Sequence, residues 1–439
     1  MQRTGAKMQS IKIDHLGPIR NSGKIELNQT NILIGEQASG KSTFCKAVYC
    51  FRDFQAKTLS YLYSRIVYHV WENRDVIYEL KRTLQSQFES LLGPKSALPD
   101  DLDVTFWYTR ENSIRIKIDV HSKQLLILFS ENLQTGIRSV LEKIQEKSKR
   151  LHRPDLTKVE EFLLNHEIYG TLAEETEHIF DDHMETFYIP AGRAMISLLS
   201  HQKTRLDYDS MDPVNVQYMR EMESLQKEYS DGISPLAERY PDEDRNFNVD
   251  KIVQRIKDGI QGEYVNKDGQ EYLIPAGAET ELVPIENTSS GQQEVLWIYQ
   301  QLYYMILRKK KAFVIIEEPE SHLYPTMQKD ILDFIVTYQH LTGGSVLVTT
   351  HSPYLLTETN NLCYAGRLRK TRKADVVQLM GEYGYLDEEK LNALRFNRKS
   401  GKIENLMQDH EILAERIDEV SDEINRIYTR LYDLDEGLE

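Results

Sequence analysis

The sequence predicts an α/β fold: a mixed β-sheet with a phosphate-binding loop, an antiparallel β subdomain, helical insertions and a C-terminal heptad helix. Three observations support this prediction. An apolar run at residues 32–34 leads into the stretch GEQASGKS and then into a helix-forming segment. Two more apolar runs, at residues 313–316 and 345–350, are followed by acidic and histidine side chains, which is typical of strands whose carboxyl ends face a ligand. Strict alternation of apolar and charged residues at 114–120 indicates a half-buried strand.

The stretch GEQASGKS matches the pattern G-x-x-x-x-G-K-[ST] in the expected strand–loop–helix context. Its glycines let successive backbone N–H groups converge on a phosphate. Lys41 is placed to reach the β- and γ-phosphates, and the Ser42 hydroxyl is placed to ligate Mg²⁺. The candidate nucleotide-binding residues of this loop are Gly35, Gly40, Lys41, Ser42 and Thr43.

Composition limits the class of protein. The 439 residues are 40% hydrophobic, which suffices for two or three structural units. The longest apolar runs fall far short of a membrane span, and three cysteines without a C-x-x-C motif fit a reducing compartment, so we expect a cytoplasmic protein without a membrane partner. A formal charge of −15 argues against extensive coating by nucleic acid.

Local basic clusters nevertheless occur at residues 147–150, 308–311 and 367–373. Each is either a solvated helix end or a contact to DNA or RNA, and the sequence leaves both interpretations open.

The amino-terminal half is predicted to alternate blocks of strands and helices. Strands are predicted at residues 8–14, 23–27, 31–34, 104–108, 114–120, 125–129 and 186–190, and helices at residues 44–91 and 131–182. Arg193 follows the last of these strands and either faces a ligand or fixes a turn. Residues 194–262 are predicted to be a mainly helical insertion, followed by a hairpin over residues 263–274.

A second set of polar residues lies past the middle of the chain. Ser289 and Gly291 open a helix, as an N-cap or as an anion cradle. The strand at 313–316 ends in Glu317 and Glu318, which should point to opposite sides and supply a Mg²⁺-side carboxylate and a base for attack by water. His351 follows the strand at 345–350 and can sense a terminal phosphate.

The ordered set of phosphate loop, Ser-Ser-Gly-Gln, apolar-Glu-Glu-Pro, Ser-His-Leu-Tyr-Pro and Thr-Thr-His-Ser-Pro resembles the ABC-type ATPase heads of the SMC, double-strand-break-repair and OLD branch. It looks most like the compact bacterial AAA-type ATPases of antiphage defence, such as the ATPase subunits of the Septu and PARIS systems. The likeness covers roughly residues 8–50 and 184–365.

The resemblance implies a role for each motif. Lys41 and Ser42 would bind phosphate and Mg²⁺, Glu317 would be the Walker B acid, and Glu318 would be the catalytic base. Ser289 and Gly291 would contact the γ-phosphate bound by a partner subunit, residues 321–324 would form the D-loop, and His351 would be the switch histidine. ABC heads usually have Asp at the position of Glu317, and no Q-loop glutamine follows residues 188–190, so Gly192 and Arg193 are candidates for that role.

The resemblance also implies the substrate and the assembly. ATP would be bound with Mg²⁺ between two heads arranged head to tail in a homodimer or a higher homo-oligomer. ATP binding would join the heads and hydrolysis would release them.

The tail carries an apolar pattern at alternating three- and four-residue steps. Its members are Ile403, Leu406, His410, Leu413, Ile417, Val420, Ile424, Ile427 and Leu431. We expect a heptad helix that packs on its own head or binds a partner, with acidic exposed faces that suit a protein better than DNA. No Toprim nuclease domain is expected, because the only downstream Asp-x-Asp lies in this helical pattern.

The expected division is residues 1–193 and 263–385 for the two halves of the head, 194–262 for the insertion and 386–439 for the tail. Two functions remain open: an ATPase that regulates a separate nuclease or toxin in antiphage defence, and a DNA-repair or chromosome-maintenance ATPase acting directly on DNA. A transporter ATPase is disfavoured by the long insertions and the missing Q-loop glutamine.

Overall fold

The computed structural model describes residues 9–68, 74–151, 153, 155–200, 207–208, 211–267, 269–278, 280–408, 410–412 and 426–430. Its strands, in chain order, are β1 (Ser10–Leu16), β2 (Ile19–Glu26), β3 (Thr30–Gly35), β4 (Asp103–Trp107), β5 (Ser113–Ile118), β6 (Leu125–Phe129), β7 (Glu185–Ile189), β8 (Gly262–Lys267), β9 (Gln270–Pro275), β10 (Val283–Pro284), β11 (Ala312–Glu317), β12 (Ser345–Thr350), β13 (Leu391–Asn397), β14 (Lys402–Asn405), β15 (Met407–Gln408) and β16 (Glu411–Ile412).

Eleven of these strands form one mixed sheet in the order β6-β5-β4-β1-β2-β14-β13-β3-β12-β11-β7. Strands β13, β3, β12, β11 and β7 are parallel neighbours, whereas β6, β5, β4, β1 and β2 pair antiparallel. The predicted mixed sheet with its antiparallel part is therefore confirmed. Strands β8, β9 and β10 form a smaller antiparallel sheet that contains the predicted hairpin.

The parallel strands bring their carboxyl ends to one edge of the sheet. Ile34 of β3 is opposite Thr350 of β12, and Thr349 is opposite Glu317 of β11. The phosphate loop, the two glutamates and His351 therefore all follow neighbouring strand ends. Every residue of β11 and β12 is buried, as expected for parallel strands with both faces covered by helices.

Twelve helices surround this sheet in the described residues. They are α1 (Lys41–Val67), α2 (Val76–Leu92), α3 (Glu131–Leu151), α4 (Lys158–Phe180), α5 (Arg193–Ser200), α6 (Pro213–Glu228), α7 (Leu236–Arg239), α8 (Val249–Ile260), α9 (Ser290–Leu307), α10 (Pro325–Thr342), α11 (Pro353–Leu368) and α12 (Lys373–Met380). Helices α5 to α8 occupy the region that we predicted to be a helical insertion.

The sheet separates two hydrophobic cores. Leu33 faces the core that contains Phe44 and Phe51 of α1, whereas Ile32 and Ile34 face the core that contains α9. This alternation follows from the two-residue period of a strand. It places α1, which follows the phosphate loop, and α9, which Ser289 and Gly291 open, on opposite faces of the same sheet.

The prediction of a helical tail from residue 386 is wrong for the residues that form β13 and β14. Strand β13 pairs with β3 over Leu391 to Phe396. Of the predicted heptad seam, Ile403 lies on β14 and Leu406, just after β14, lies in the core. Pairing to an otherwise open edge of β3 outweighs the three- and four-residue spacing. The seam positions at 413, 417, 420, 424 and 431 lie outside the described residues; residues 426–430 are helical.

Candidate active site

The phosphate loop turns through backbone conformations that favour glycine. Gly40 has φ 104° and directly precedes α1. A Cβ at this position would lie 2.8 Å from the Cγ1 atom of Ile19, so a larger residue would be both strained and crowded. The loop therefore delivers the amino terminus of α1, with its free N–H groups, to the carboxyl edge of the sheet.

Lys41 is the first residue of α1, and its side chain folds back over the loop. Its ammonium group donates hydrogen bonds to the carbonyl oxygens of Gly35 (2.7 Å) and Glu36 (3.0 Å) and lies 3.2 Å from Nε2 of His351. Burial lowers the pKa of Lys41, while the charge of Glu318 raises it. The residue is only 5% exposed, so a phosphate reaching it would replace the loop carbonyls as its partner.

Ser42 and Thr43 follow Lys41 on the first turn of α1. Ser42 is exposed and Thr43 is half-buried. Both line a cavity of about 440 Å³, whose other walls include Leu16, Leu91 and Pro99. The lining combines the polar side chains of Ser42, Thr43 and Lys46 with apolar ones, which suits a ligand that carries both charged and apolar groups.

Glu317 ends β11 and points toward β7. Its Oε2 atom accepts a long hydrogen bond (3.4 Å) from the N–H of Ala191. Its buried Oε1 atom makes no hydrogen bond of normal geometry among the described residues, although the buried Tyr188 hydroxyl is close enough to interact with this carboxylate. A buried carboxylate oxygen without a partner is costly unless a ligand satisfies it. This oxygen therefore fits the predicted role of Glu317 as a Mg²⁺ ligand.

Glu318 turns away from Glu317 because its backbone is left-handed, with φ 43°. Its N–H donates to the carbonyl oxygen of Thr349 (3.0 Å), which fixes this turn on β12. Its carboxylate lies 3.2 Å from Nε2 of His351 and accepts a hydrogen bond of 3.2 Å from the hydroxyl of Ser321. The two neighbouring glutamates thus have different partners. The cause is the left-handed turn at Glu318 and not alternation along a strand, because β11 ends at Glu317.

The hydrogen bond from His351 lowers the pKa of Glu318, although burial opposes this effect. Glu318 is therefore ionised at neutral pH and can accept a proton. Lys41 and Glu318 both lie 3.2 Å from the same atom, Nε2 of His351, so three polar side chains meet between the phosphate loop and the end of β11; this nitrogen either donates to Glu318 or accepts from Lys41, according to the tautomer. An anion binding at Lys41 would contact this group of side chains directly.

Sequence reasoning missed Glu320, which positions His351. Its buried carboxylate accepts hydrogen bonds from the Thr350 hydroxyl (2.6 Å) and from the N–H of His351 (2.7 Å). Burial raises the pKa of Glu320. A third acidic residue in the Glu-Glu-Pro-Glu turn was the available signal.

The described residues contain no group of three or more His, Cys, Asp or Glu side chains that could hold a metal ion. A Mg²⁺ ion here would therefore take oxygens from Ser42 and Glu317 and the rest of its ligands from phosphate and water. That ligand set is typical of Mg²⁺ in nucleotide sites.

Ser289 caps α9. Its hydroxyl accepts from the N–H of Gln292 (3.3 Å), while the Gln292 side-chain oxygen accepts from the N–H of Ser289 (3.1 Å). Ser289 and Ser290 are exposed, and Gly291 is buried. A Cβ at Gly291 would lie 2.7 Å from the carbonyl oxygen of His322, so this glycine lets the helix start pack on the turn at residues 321–324. The N-cap interpretation is confirmed; the anion cradle remains a prediction.

Arg193, a candidate for the missing Q-loop residue, does not face a ligand. It is fully buried, and its guanidinium group donates to backbone carbonyls and pairs with Glu294. Of the two roles left open by the sequence, the structure shows the one that fixes a turn.

A family model described as "AAA ATPase domain" matches residues 7–356. The chain belongs to this family. It is therefore an ATPase, and the matched region contains the phosphate loop, both glutamates and His351. Within the described residues, none of the helices of this ATPase is long and apolar enough to cross a membrane.

One curated relative is the "Lipoprotein-releasing system ATP-binding protein LolD" of Neorickettsia sennetsu. It is 27% identical over 79 residues, which are 18% of this chain and 33% of the relative. The chain thus matches about a third of that protein's length.

Similar solved structures include SMC heads. The SmcHead bound to the C-winged helix domain of ScpA has 12% identity and a TM-score of 0.41 over 92% of this chain and 98% of that one. The Smc head domain with an extended coiled coil, bound to the C-terminal domain of ScpA and derived from Pyrococcus furiosus, has 12% identity and a TM-score of 0.36 over 95% of this chain and 99% of that one. The SMC head domain from Thermotoga maritima has 9% identity and a TM-score of 0.34 over 80% and 92%.

Proposed function

We propose that this ATPase is a nucleotide-gated homodimer or higher homo-oligomer that regulates a separate effector, a nuclease or toxin, in bacterial antiphage defence. One observation supports the gate above all. Lys41, His351 and Glu318 are joined at the sheet edge, whereas Ser289 lies exposed at the start of α9 with its hydroxyl bonded only within its own turn among the described contacts. A second copy would bring this turn to the bound phosphates.

In this proposal each side chain has one task. Lys41 leaves the loop carbonyls for the β- and γ-phosphates of ATP, and His351 contacts the γ-phosphate. Glu318 takes a proton from the attacking water, for which its ionised state is suited. Mg²⁺, held by Ser42 and Glu317, would offset phosphate charge.

We place the base and ribose of ATP in the cavity beside Ser42 and Thr43. Its volume of about 440 Å³ falls within the usual range for small-molecule sites, and the leucine and proline side chains of its wall offer apolar surface to a purine ring.

ATP would act as the gate because it binds the joined state better than the separate heads. A ligand shifts such an equilibrium only through its differential affinity for the two states. The contacts of a partner's Ser289 and Gly291 turn would supply that difference, and hydrolysis would remove it.

A protein effector suits the charge of the molecule better than DNA does. The net charge is −15, and each basic cluster contains side chains in ion pairs with acids. These pairs are Lys147–Glu167, Lys309–Asp242, Lys310–Glu185, Arg367–Glu388 and Arg369–Glu382. Such pairing reduces the positive charge available to a phosphate backbone. The three cysteines are free and buried, which supports a reducing, cytoplasmic setting.

The test measures the mass of Glu318→Gln by light scattering with and without ATP and Mg²⁺. We expect ATP to double the mass, and Ser289→Arg added to this variant to abolish the change, because a bulky side chain then fills the cradle. A mass that is the same with and without ATP would contradict the proposed gate. Purification from the native host should retain a second protein, and ATPase activity stimulated severalfold by DNA would instead favour direct action on DNA.

A further inference from the structure

A buried arginine connects three segments of the active site. Arg193 begins α5 directly after the turn that follows β7. Its Nη1 atom donates to the carbonyl oxygens of Pro190 (2.7 Å) and Glu317 (2.6 Å), and its Nη2 atom donates to the carbonyl oxygen of Glu318 (3.0 Å). One rigid guanidinium group thus holds the backbone on both sides of Glu318, at the carbonyl before it and at its own carbonyl.

The same arginine is bound to α9. Its Nε atom donates to the carbonyl oxygen of Glu294 (3.0 Å) and lies 3.0 Å from the carboxylate of that residue. The carboxylate also accepts from the N–H groups of Arg193 (3.1 Å) and Ala194 (3.2 Å). Both partners of the ion pair are almost completely buried.

Glu294 lies only five residues after Ser289, on the first turns of the same helix. A displacement of the start of α9 would therefore move Glu294, the guanidinium group of Arg193 and the Glu317–Glu318 carbonyls together. Since Glu318 sits in a left-handed conformation that its surroundings must maintain, its carboxylate is sensitive to such a shift.

We infer that Arg193 and Glu294 are positioning residues that transmit contact at the Ser289 turn to the carboxylate of Glu318 in the same subunit. When the Ser289 turn of one subunit contacts the ATP of its partner, it would also fix Glu318 of its own subunit. That Glu318 acts on the ATP held by its own subunit. This inference rests on the proposed head-to-tail site, and it makes hydrolysis at the two sites of a dimer interdependent.

The chain offers a matched control for a purely structural role. Arg52 and Asp182 form an equally buried ion pair with a distance of 2.8 Å. Arg52 also donates to Thr186 and Met184, so it stabilises α1 against the start of β7 without touching either glutamate. Lysine in place of either arginine keeps the charge and removes the bidentate contacts.

The experiment compares Arg193→Lys and Glu294→Gln with Arg52→Lys, by kcat, by the dissociation constant for a fluorescent ATP analogue and by melting temperature. We expect the first two variants to lower kcat on the order of tenfold to a hundredfold, as for residues that support catalytic groups, with nucleotide affinity unchanged. Arg52→Lys should lower the melting temperature and leave kcat unchanged. Equal loss of kcat in all three variants, or a loss that follows melting temperature, would overturn the inference.

A double-mutant cycle supplies the decisive readout. Ser289→Ala should lower kcat more in the wild-type background than in Glu294→Gln. In the second background the connection to Glu318 is already broken, so only the direct loss of the contact to the partner's phosphate remains. Additive effects on kcat would overturn the positioning role while leaving the head-to-tail site intact. If neither Ser289→Ala nor Ser289→Arg affects kcat in the wild type, the proposed site itself fails. Glu294→Gln preserves side-chain volume, so this cycle remains available if Arg193→Lys does not fold.

Discussion

Replacing Glu318 with glutamine isolates the chemical step of ATP hydrolysis. The amide has the shape of the carboxylate and keeps one oxygen to accept from His351 or Ser321, each now 3.2 Å away. Because the side chain is half-buried and at most about one hydrogen bond is lost, we expect the free energy of unfolding to fall by about 1 kcal/mol or less.

The effect on the activation barrier should be larger. A glutamine cannot accept the proton of an attacking water, and loss of a general base typically lowers kcat by about 10²- to 10⁴-fold, which corresponds to about 3–5 kcal/mol. The assay is steady-state phosphate release, with nucleotide affinity and urea unfolding measured on the same samples. Glu26→Gln, an exposed position on β2, is the control. Undiminished kcat in Glu318→Gln would remove Glu318 from its role.

Three further predictions test the start of α9, the contacts of His351 and a buried acid on α6. Gly291→Ala should lower the free energy of unfolding in urea by about 1–3 kcal/mol and reduce hydrolysis, since its Cβ would meet the carbonyl of His322. The control is Gly170→Ala, in open space on α4, which should raise the free energy of unfolding by about 0.5–1 kcal/mol in the same assay. Glu320→Ala should lower kcat at least about tenfold, because it removes the acceptor that holds the N–H of His351. Glu320→Gln, which keeps an acceptor, should change kcat far less. Burial raises the pKa of Glu221 to about 7, so its folded form retains a proton that the unfolded form loses above pH 4.5. Wild-type stability should consequently fall by about 3 kcal/mol relative to Glu221→Gln as pH rises from about 4.5 to about 7, with no further change above that. A pH-independent difference in urea unfolding would contradict this assignment.

Most of the sheet could be predicted because its strands carry a local signal. The apolar runs before Gly35, Glu317 and His351 are fully buried parallel strands, and their carboxyl ends meet wherever the strands are neighbours. The catalytic candidates at these ends followed from that rule. Their register, which places Thr349 opposite Glu317, is a tertiary property that the local pattern does not contain.

The missed features depend on contacts between distant segments. Strand β13 pairs with β3, more than 350 residues earlier in the chain, and β14, which carries Ile403, pairs with β13. The local spacing around Ile403 contains neither contact and indicated a helix instead. The sequence left two roles open for Arg193, a ligand contact or a turn, because its partners Glu294, Glu317 and Glu318 lie over 100 residues away. Charged residues that serve the backbone of distant segments have no periodic signature in a sequence.

The central claim is that one ATP site is built from two copies of the chain, and subunit mixing tests it most directly. Lys41→Ala removes the phosphate-loop contact to ATP, and Ser289→Arg blocks the Ser289 turn at the start of α9. Neither variant alone should therefore hydrolyse ATP. A dimer of one copy of each variant contains one intact site, formed by Lys41 of the second variant and Ser289 of the first. The account predicts that the mixture recovers measurable phosphate release. The release per intact site should stay below that of a wild-type site, because the Ser289→Arg copy that holds this ATP has no engaged turn of its own to position its Glu318. Release no greater than the sum of the two separate variants would contradict it.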